Sequence, residues 1–309
     1  MKPVLTLLAL APFGWAVCQL SASDVMSALN AADKKFESFS IAGAVDLPLS
    51  IAHPDQGRNL ADIRLTSQPS GFACSIVSTK MIGGPHHVPP STTGYGQPFR
   101  EHDDDGNLVL PRLLSQWTLS LPSLNAWRED TQPIVVKSDG TIDEKIPYSS
   151  IEQADLQSPL YHYPFDQACM ATGRGFTRLV SEVTSVTNLQ GGLLRAVASG
   201  KDRLGQTGTW ILDLDPSREY LAVGGKFYIG AITGEPAYTF ATRGELRNED
   251  GFSIAAEGDV EIPMGSPKLV KRYRFATFSK QTATAWIVDA QSKLNERSER
   301  ITYKDRRTQ

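Results

Sequence analysis

The stretch from Phe39 to Ile51 constrains the fold most, because apolar side chains occupy its odd positions along its length. Gly43 fills the one gap, and small or polar residues take the even positions. A period of two is typical of a half-buried β-strand, so the pattern predicts one long strand or two in line. Pro48 has no N–H to donate, which favours a sheet edge or a break there. The apolar positions are Phe39, Ile41, Val45, Leu47, Leu49 and Ile51.

A second strand signal lies at residues 207–229 and predicts a hairpin. Trp210, Leu212 and Leu214 fall on one face of its first strand, since side chains alternate along a strand. The segment Asp215-Pro216-Ser217-Arg218 suits a tight turn, because Asp favours the first turn position and Pro presets φ at the second. An apolar return strand follows, which indicates an antiparallel β protein.

Weaker signals fill in the rest of the chain. Residues 24–36 carry an apolar stripe at helical spacing, with Ser23 as a plausible N-cap. Asp139-Gly140 predicts a hairpin turn. Residues 110–127 predict a short helix that carries Leu113, Leu114 and Trp117 and stops at Pro122. Further strands are predicted at 61–66, 72–77, 236–242, 252–262 and 268–279.

Other segments favour no single structure. Residues 147–170 resemble a loop with aromatic anchors, and 173–189 fit a helix or a strand equally well. Residues 282–291 fit a strand or a helix start. The charged tail from Lys293 is typical of a solvated helix in which Glu296 and Arg300 pair, and contact with an anionic surface is the alternative.

Composition limits the class of protein. The chain has 309 residues, 40 % apolar and 21 % charged, which is enough for a packed core and excludes global disorder. The formal net charge is −3, so nothing in the charge balance indicates a nucleic-acid partner. The Gly- and Pro-rich stretch at 83–112 is too long for an ordinary connection and predicts an insertion or flap. We expect one domain at 24–309.

The first residues resemble a secretory signal. Lys2 supplies the positive charge, and an apolar run too short to span a bilayer follows it. We predict a signal peptide at 1–23 with cleavage after Ser23; cleavage after Cys18, lipidation of Cys18 and an uncleaved anchor are the alternatives. The prediction places the protein outside the cytoplasm, in the periplasm or cell envelope, with no later segment that spans a membrane.

No motif assigns a reaction. Cys169 has His162 and Asp166 nearby in sequence, but a structural role or a disulfide with Cys74 explains it as well. Asp213 and Asp215 share a strand face. A simpler interpretation than an acid/base pair is that both face solvent and that Asp215 forms part of the turn. The sequence therefore favours a non-enzymatic protein with no cofactor.

One loop has side chains of the metal-ligand type. Its imidazoles and carboxylates suit a divalent ion, yet their spacing matches no known binding loop, and a hydrated acidic loop is the alternative. The residues are His86, His87, His102, Asp103, Asp104 and Asp105.

Taken together, the chain resembles the LolA-like superfamily of bacterial envelope lipoprotein carriers. The residues that carry the resemblance are the helix at 24–36, the run FESFSIAGAVDLPLSI after it, and WILDLDPSREYLAV at 210–223. It implies a mainly β (α+β) fold, a curved antiparallel sheet or half-barrel with a few covering helices. The loop at 83–112 has no counterpart in that pattern.

The resemblance also implies an apolar cavity that receives acyl chains. Its candidate lining residues are Phe39, Ile41, Val45, Leu47, Trp210 and Leu212. An ordinary packed core explains the same alternation. The resulting hypothesis is an exported, non-enzymatic protein that holds a lipid or a lipidated partner, and the alternative is a non-catalytic envelope scaffold that binds another protein. A hydrolase that uses Cys169 or the His86–His87 loop is the third hypothesis. Neither ligand identity nor oligomeric state follows from the sequence.

Overall fold

The structure is a computed structural model that describes residues 20–48, 57–82, 102–122, 124–154, 163–202, 205–262, 268–280, 292, 294 and 301–305. Its helices are α1 (Ala22–Lys35) and α2 (Tyr163–Thr172), with 3₁₀ turns at Phe176–Arg178, Gln190–Gly192 and Pro216–Arg218. No helix within these ranges is long and apolar enough to cross a bilayer. The strands are β1 (Phe39–Pro48), β2 (Arg58–Gln68), β3 (Gly71–Ile82), β4 (Leu108–Leu121), β5 (Leu124–Val136), β6 (Ile142–Glu144), β7 (Tyr148–Ala154), β8 (Val180–Asn188), β9 (Leu194–Lys201), β10 (Thr207–Asp215), β11 (Leu221–Ile229), β12 (Tyr238–Arg243), β13 (Leu246–Arg247), β14 (Ser253–Ile254), β15 (Glu257–Ile262), β16 (Leu269–Ser279) and β17 (Ile301–Asp305).

Fifteen of these strands form one sheet, and β13 and β14 form a small separate ribbon. The order is β17-β7-β5-β4-β3-β2-β1-β16-β15-β12-β11-β10-β9-β8, with β6 beside β5. Two meanders meet where β1 pairs with β16. Neighbours are antiparallel except β17 and β7, which are parallel. The predicted fold class, mainly β with a few helices, is confirmed.

The sheet bends strongly around its helices. Lys271 on β16 and Glu129 on β5 lie five strands apart, which is about 24 Å across a flat sheet. The charge of Lys271 nonetheless lowers the pKa of Glu129, so the two side chains approach each other across the concave face. Helix α2 likewise contacts β3, β12 and β15. The antiparallel sheet is therefore curved, as predicted.

The concave face holds one continuous apolar core. Side chains from β1–β3, from β8–β12 and from β14–β16 join those of both helices in a single cluster. A smaller cluster on the opposite face of β3–β5 includes Trp117, Leu119 and Leu294. Helix α1 fits this arrangement because Val25, Leu29 and Ala32 form its buried stripe.

The cap of α1 differs from the prediction. Ser21, not Ser23, is the N-cap: its hydroxyl accepts from the Asp24 N–H at 3.2 Å. The Asp24 carboxylate accepts in return from the Ser21 N–H at 3.0 Å, which completes a capping box. Ser23 directly precedes Asp24, whereas Ser21 lies three residues before it, which is the spacing that a capping box requires.

Two predicted turns and several strands are confirmed. β10 and β11 pair across the Pro216–Arg218 turn, and β5 pairs with β6 across Asp139-Gly140. β12 and β16 fall within or near the predicted ranges, whereas the predicted strand at 252–262 is divided into β14 and β15. Pro48 ends β1, as a strand break requires. Leu49 and Ile51 lie outside the described residues.

Four other predictions were wrong or too broad. Residues 110–121 continue β4 instead of forming a helix, and 147–170 contain β7 and α2 instead of a loop. The insertion at 83–112 overlaps β4 at its end, while 83–101 lie outside the described residues. In the tail, Ser292 and Leu294 are helical, as predicted from Lys293 onward, but Leu294 is buried, and 301–305 form β17 beside β7. Glu296, Arg300 and 282–291 lie outside the described residues.

The ambiguous segment 173–189 has a mixed structure. It begins with the Phe176–Arg178 turn and then continues as β8, an edge strand of the sheet. Two register shifts interrupt the pairing of β8 with β9, which explains why its apolar residues follow no single period.

Candidate functional site

The six predicted lining residues lie in the same core. Each has at most 7 % of its surface exposed, and they pack into one cluster although they come from strands on both halves of the sheet. Phe39 borders an open cleft. The others lie in the packed interior: Ile41, Val45, Leu47, Trp210 and Leu212. The structure brings the six together around a filled core, with open space at one end of it.

The cleft has a volume of about 540 Å³. The C-terminal half of α1 forms one side, the turn between β2 and β3 forms another, and α2 with the Phe176–Arg178 turn closes the third. Pockets that hold small organic ligands commonly have volumes of about 300–1,000 Å³. The cleft is therefore large enough for part of a lipid.

The floor of the cleft alternates large and small side chains across neighbouring strands. Phe39 on β1 pairs with Ser67 on β2, and Ser67 pairs with Phe72 on β3. Phe72 pairs in turn with Ser120 on β4. Paired residues in an antiparallel sheet share a face, so this row presents two rings separated by the small side chain of Ser67.

The two rings belong to a chain of aromatic contacts. Phe36, at the C-terminal end of α1, stacks on Phe39 with ring centroids 4.0 Å apart. Phe165 from α2 lies 6.1 Å from Phe39 and stacks on Phe72 at 4.0 Å. Four phenylalanines from three separate stretches of the chain thus form an apolar wall, which we call the aromatic wall.

Asp33 fixes the helix over this wall. Its carboxylate is almost fully buried and accepts hydrogen bonds from the backbone N–H groups of Gly175 at 2.9 Å and Thr177 at 2.8 Å. Gly175 has a φ of 81°, a conformation that favours glycine, and a side chain there would crowd Cys169. The contact attaches α1 to the turn that carries Arg178, which lines the cleft together with Lys34.

Comparisons with known proteins add a likeness in fold. No family model matches the chain, and no curated protein matches its sequence. Among solved structures, a LolA superfamily protein from Nitrosomonas europaea aligns with a TM-score of 0.46 and 9 % identity, covering 87 % of this chain and 97 % of that one. A domain described as an outer membrane lipoprotein-sorting protein, from Vibrio parahaemolyticus, aligns with a TM-score of 0.43 and 10 % identity, covering 88 % and 97 %. The resemblance to the LolA-like fold stated from the sequence is confirmed as a distant one. At these scores it carries nothing about ligands.

The described residues do not support the hypothesis that Cys169 acts as a nucleophile. Cys169 and Cys74 are buried free thiols, and His162 lies outside the described residues. Burial, with the charge of Asp166 adding to it, raises the pKa of Cys169 well above its usual range, and burial raises that of Cys74 to about 12. Neither thiol forms the thiolate that a nucleophile needs.

We therefore expect both thiols to be unreactive in the folded protein. A pKa of about 12 leaves on the order of a thousandfold less thiolate than an ordinary cysteine has. Alkylation at neutral pH followed by peptide mapping should label Cys74 and Cys169 only after denaturation. A Ser70→Cys variant, in the exposed turn between β2 and β3, should be labelled at once and serves as the control. Rapid native labelling of Cys169 would contradict the expectation.

The remaining candidate groups have local partners. Asp213 forms a bidentate pair with Arg195 at 2.7 and 2.9 Å, and Asp215 caps its turn and accepts from Arg218 at 2.6 Å. Asp103 accepts from Asn107 at 2.9 Å and closes a turn. Among the described residues, which include His102, Asp104 and Asp105 of that loop, no three His, Cys, Asp or Glu side chains group as a metal site requires. His86 and His87 lie outside the described residues.

A polar region on the concave face was not predicted from the sequence. Gln167 of α2 is fully buried and accepts a hydrogen bond from the Lys271 ammonium at 2.8 Å. Burial raises the pKa of Glu129 to about 7; the Asp130 charge raises it further, and Lys271 lowers it. Nothing in the sequence places β5, β16 and α2 together, so no local pattern could have revealed this region.

The raised pKa of Glu129 predicts a pH dependence of stability. An unfolded Glu titrates near about 4.3, so the folded protein binds this proton more tightly than the unfolded chain. The resulting stabilisation is fully present below about pH 4.3 and is lost as the pH rises through about 7. Relative to Glu129→Gln, the wild type should lose on the order of 3–4 kcal/mol of unfolding free energy over that range. Urea unfolding at a series of pH values measures this, and a constant difference between the two proteins would refute it.

Proposed function

We propose that this protein binds the acyl chain of a lipid or of a lipidated partner in the cleft beside the aromatic wall. The observation that carries the proposal is the open cleft of about 540 Å³, which Phe36, Phe39, Phe72 and Phe165 help to line. A methylene group transferred from water into such a surface contributes about 0.8 kcal/mol. A modest length of chain therefore supplies useful affinity.

Filling the cleft tests the proposal. Ser67 lines the cleft, so Ser67→Trp takes up part of its volume and should abolish uptake of a long-chain fluorescent probe. Ser27→Trp is the matched control, because Ser27 is exposed on α1 and faces away from the cleft toward a shallow groove along β8. Lipid extraction and mass spectrometry of the purified protein should also find co-purified acyl chains. Equal uptake by wild type and Ser67→Trp would refute the assignment of the site.

The packed interior favours a second candidate. The candidate residues Ile41, Val45 and Leu47 are almost fully buried against other side chains, so most of the concave face holds no ligand-sized space at these positions. A scaffold that binds another protein needs no such space. This candidate predicts lipid-free protein after extraction and no uptake of acyl probes, which separates it from the carrier.

We also propose that the protein is exported, with a signal peptide at its N-terminus and the rest of the chain as one mature domain. The capping box of Ser21 and Asp24 bears on the cleavage site, because cleavage after Ser23 would remove the N-cap of α1. Loss of such a cap costs about 1 kcal/mol. We therefore expect cleavage before Ser21, with the alternative site after Cys18 as the natural candidate. The intact mass of the mature protein from the cell envelope distinguishes the two sites.

A further inference from the structure

The loop between β11 and β12 exposes an apolar patch. Ile229 and Ile232 have 58 % and 49 % of their surface exposed, and Ala231 between them is exposed as well. We call residues 229–232 the apolar tip. A single exposed isoleucine is ordinary on a soluble protein, but two of them within four consecutive residues form a patch of the kind that marks a contact surface.

The apolar tip and the cleft lie at opposite ends of the sheet. The antiparallel pairing from β11 through β12, β15, β16 and β1 to β2 places the tip level with Arg58, where β2 begins. The turn after the other end of β2 borders the cleft. A surface in contact with the tip therefore leaves the cleft accessible.

Hydrogen bonds and glycines fix the backbone of the tip. The Gly230 N–H donates to the Thr207 carbonyl at 3.1 Å, and the Thr209 hydroxyl donates to the Gly230 carbonyl at 2.9 Å. Gly230 and Gly234 have φ angles of 71° and 70°, which glycine adopts without strain. The outward position of the two isoleucines is therefore built into the folded loop.

Two lysines flank the tip. Lys226 lies three residues before Ile229 on β11, about 10 Å along the strand. Lys201 on β9 pairs with Thr207, the residue whose carbonyl accepts from the tip. Both lysines are exposed, and neither forms an ion pair with any residue that the structure describes.

The carboxylates near the tip are grouped around a third lysine. A hydrogen bond with Glu261 at 2.7 Å raises the pKa of Lys268, and the charge of Glu235 adds to this effect. Lys201 and Lys226 therefore remain for an anion outside the protein. Together these five side chains are net positive.

The size and chemistry of the patch favour a lipid bilayer over a protein as its partner. Each side of a standard protein interface contributes about 800 Å², far more than two half-exposed isoleucines and an alanine provide. Shallow insertion among lipid head groups needs only a few apolar side chains. Lysines beside them attract anionic lipids and extend their ammonium groups to the head groups.

We propose that the apolar tip docks the protein on the surface of an anionic lipid bilayer. Ile229 and Ile232 enter the head-group region, and Lys201 and Lys226 lie against anionic lipids. The tip is separate from the cleft and needs no acyl chain bound there. This inference is therefore independent of the proposed function.

Co-sedimentation with vesicles tests the docking surface. Vesicles of phosphatidylcholine with about one third phosphatidylglycerol are mixed with the full-length mature protein at low salt. The wild type should sediment with them, and less of it with added salt, which screens the lysine charges. Ile229→Asp and Ile232→Asp should each weaken binding about tenfold, and Lys226→Gln should weaken it a few-fold.

Ile142→Asp is the matched control. Ile142 is 50 % exposed, but Asp139, Asp143 and Glu144 are close to it in sequence, so this surface does not attract an anionic bilayer. Its replacement should change vesicle binding less than about twofold. Ile232→Asp should also keep its uptake of a monomeric acyl probe, which separates docking from binding in the cleft.

A fluorophore reports the contact directly. An environment-sensitive dye attached to Ala231→Cys should shift its emission to shorter wavelength when vesicles bind. The same dye on Ser70→Cys, in the turn at the opposite end of the sheet, should not shift.

The outcomes are distinct. A wild type that does not sediment, binding that survives both isoleucine variants, or an equal loss in Ile142→Asp would overturn the inference. Light scattering that shows a dimer, lost in Ile232→Asp, would assign the tip to a second copy of the chain and overturn it as well. Docking without any acyl uptake would support this inference and overturn only the proposed function.

Discussion

Replacement of Trp210 with alanine is expected to lower the free energy of unfolding by about 3–5 kcal/mol. The indole is fully buried, packs against Phe176 and Phe227 at ring-centre distances of 5.8 and 4.8 Å, and donates its Nε1–H to the Lys201 carbonyl at 3.1 Å. The substitution leaves a cavity that the surrounding strands cannot fill. Equilibrium unfolding in urea measures the loss.

The control lies one residue along the same strand. Ile211 is half-buried on the opposite face of β10, so Ile211→Ala should cost less than about 1.5 kcal/mol. The comparison also tests the sequence-based role of Trp210 as a cavity-lining residue. A stable Trp210→Ala protein with altered probe uptake would show that the side chain contacts a ligand and not only the core.

Replacement of Arg174 with alanine is expected to cost a similar amount, about 3–5 kcal/mol. Its guanidinium is 2 % exposed and donates to the carbonyls of Ser253 at 3.0 Å, Glu219 at 2.7 Å and Arg218 at 2.9 Å. It also lies 4.5 Å from the Phe252 ring centre. Burial lowers its pKa only to about 10, so it stays charged at neutral pH and its loss leaves three carbonyls unpaired.

The turn that Arg174 holds is itself strained. Glu219 and Tyr220 have φ angles of 52° and 56°, which side chains other than glycine rarely adopt. Hydrogen bonds from Arg174 to this turn help to offset that cost. Arg195→Ala, which removes an exposed ion pair with Asp213, is the matched control and should cost less than about 1 kcal/mol. Similar losses for the two arginine variants would contradict this role.

The sequence predicted the elements whose pattern is local. The alternation in β1, the stripe of α1 and the turns at Asp139-Gly140 and Asp215–Arg218 each depend on neighbouring residues, and the structure contains all of them. Helix α2 was missed because its residues from Phe165 onward are buried on all sides, which removes the amphipathic stripe that identifies a helix.

Interactions beyond the local pattern explain why β4 and β17 were not predicted. A register shift between Leu113 and Ser115 interrupts the alternation of β4, so its apolar residues fit helical spacing as well. Strand β17 depends on pairing with β7, about 150 residues earlier, which no charge pattern reveals.

The candidate site could be predicted only in part. Phe39 was identified from its strand and Phe36 ends the predicted helix at 24–36, but Phe72 and Phe165 come from separate segments that the fold brings to them. Arg178 reaches the aromatic wall because Asp33 binds the turn that carries it. No spacing in the sequence indicates this contact.

Photo-crosslinking tests the acyl-binding cleft most directly. A long-chain probe with a diazirine at its terminal carbon is bound to the mature protein, activated by light, and located by peptide mass spectrometry. We predict crosslinks to the row from Ser67 to Phe72 and to the segment from Phe165 to Arg178, and their loss in Ser67→Trp. Crosslinks spread over other surfaces, or unchanged in that variant, would contradict acyl binding in this cleft.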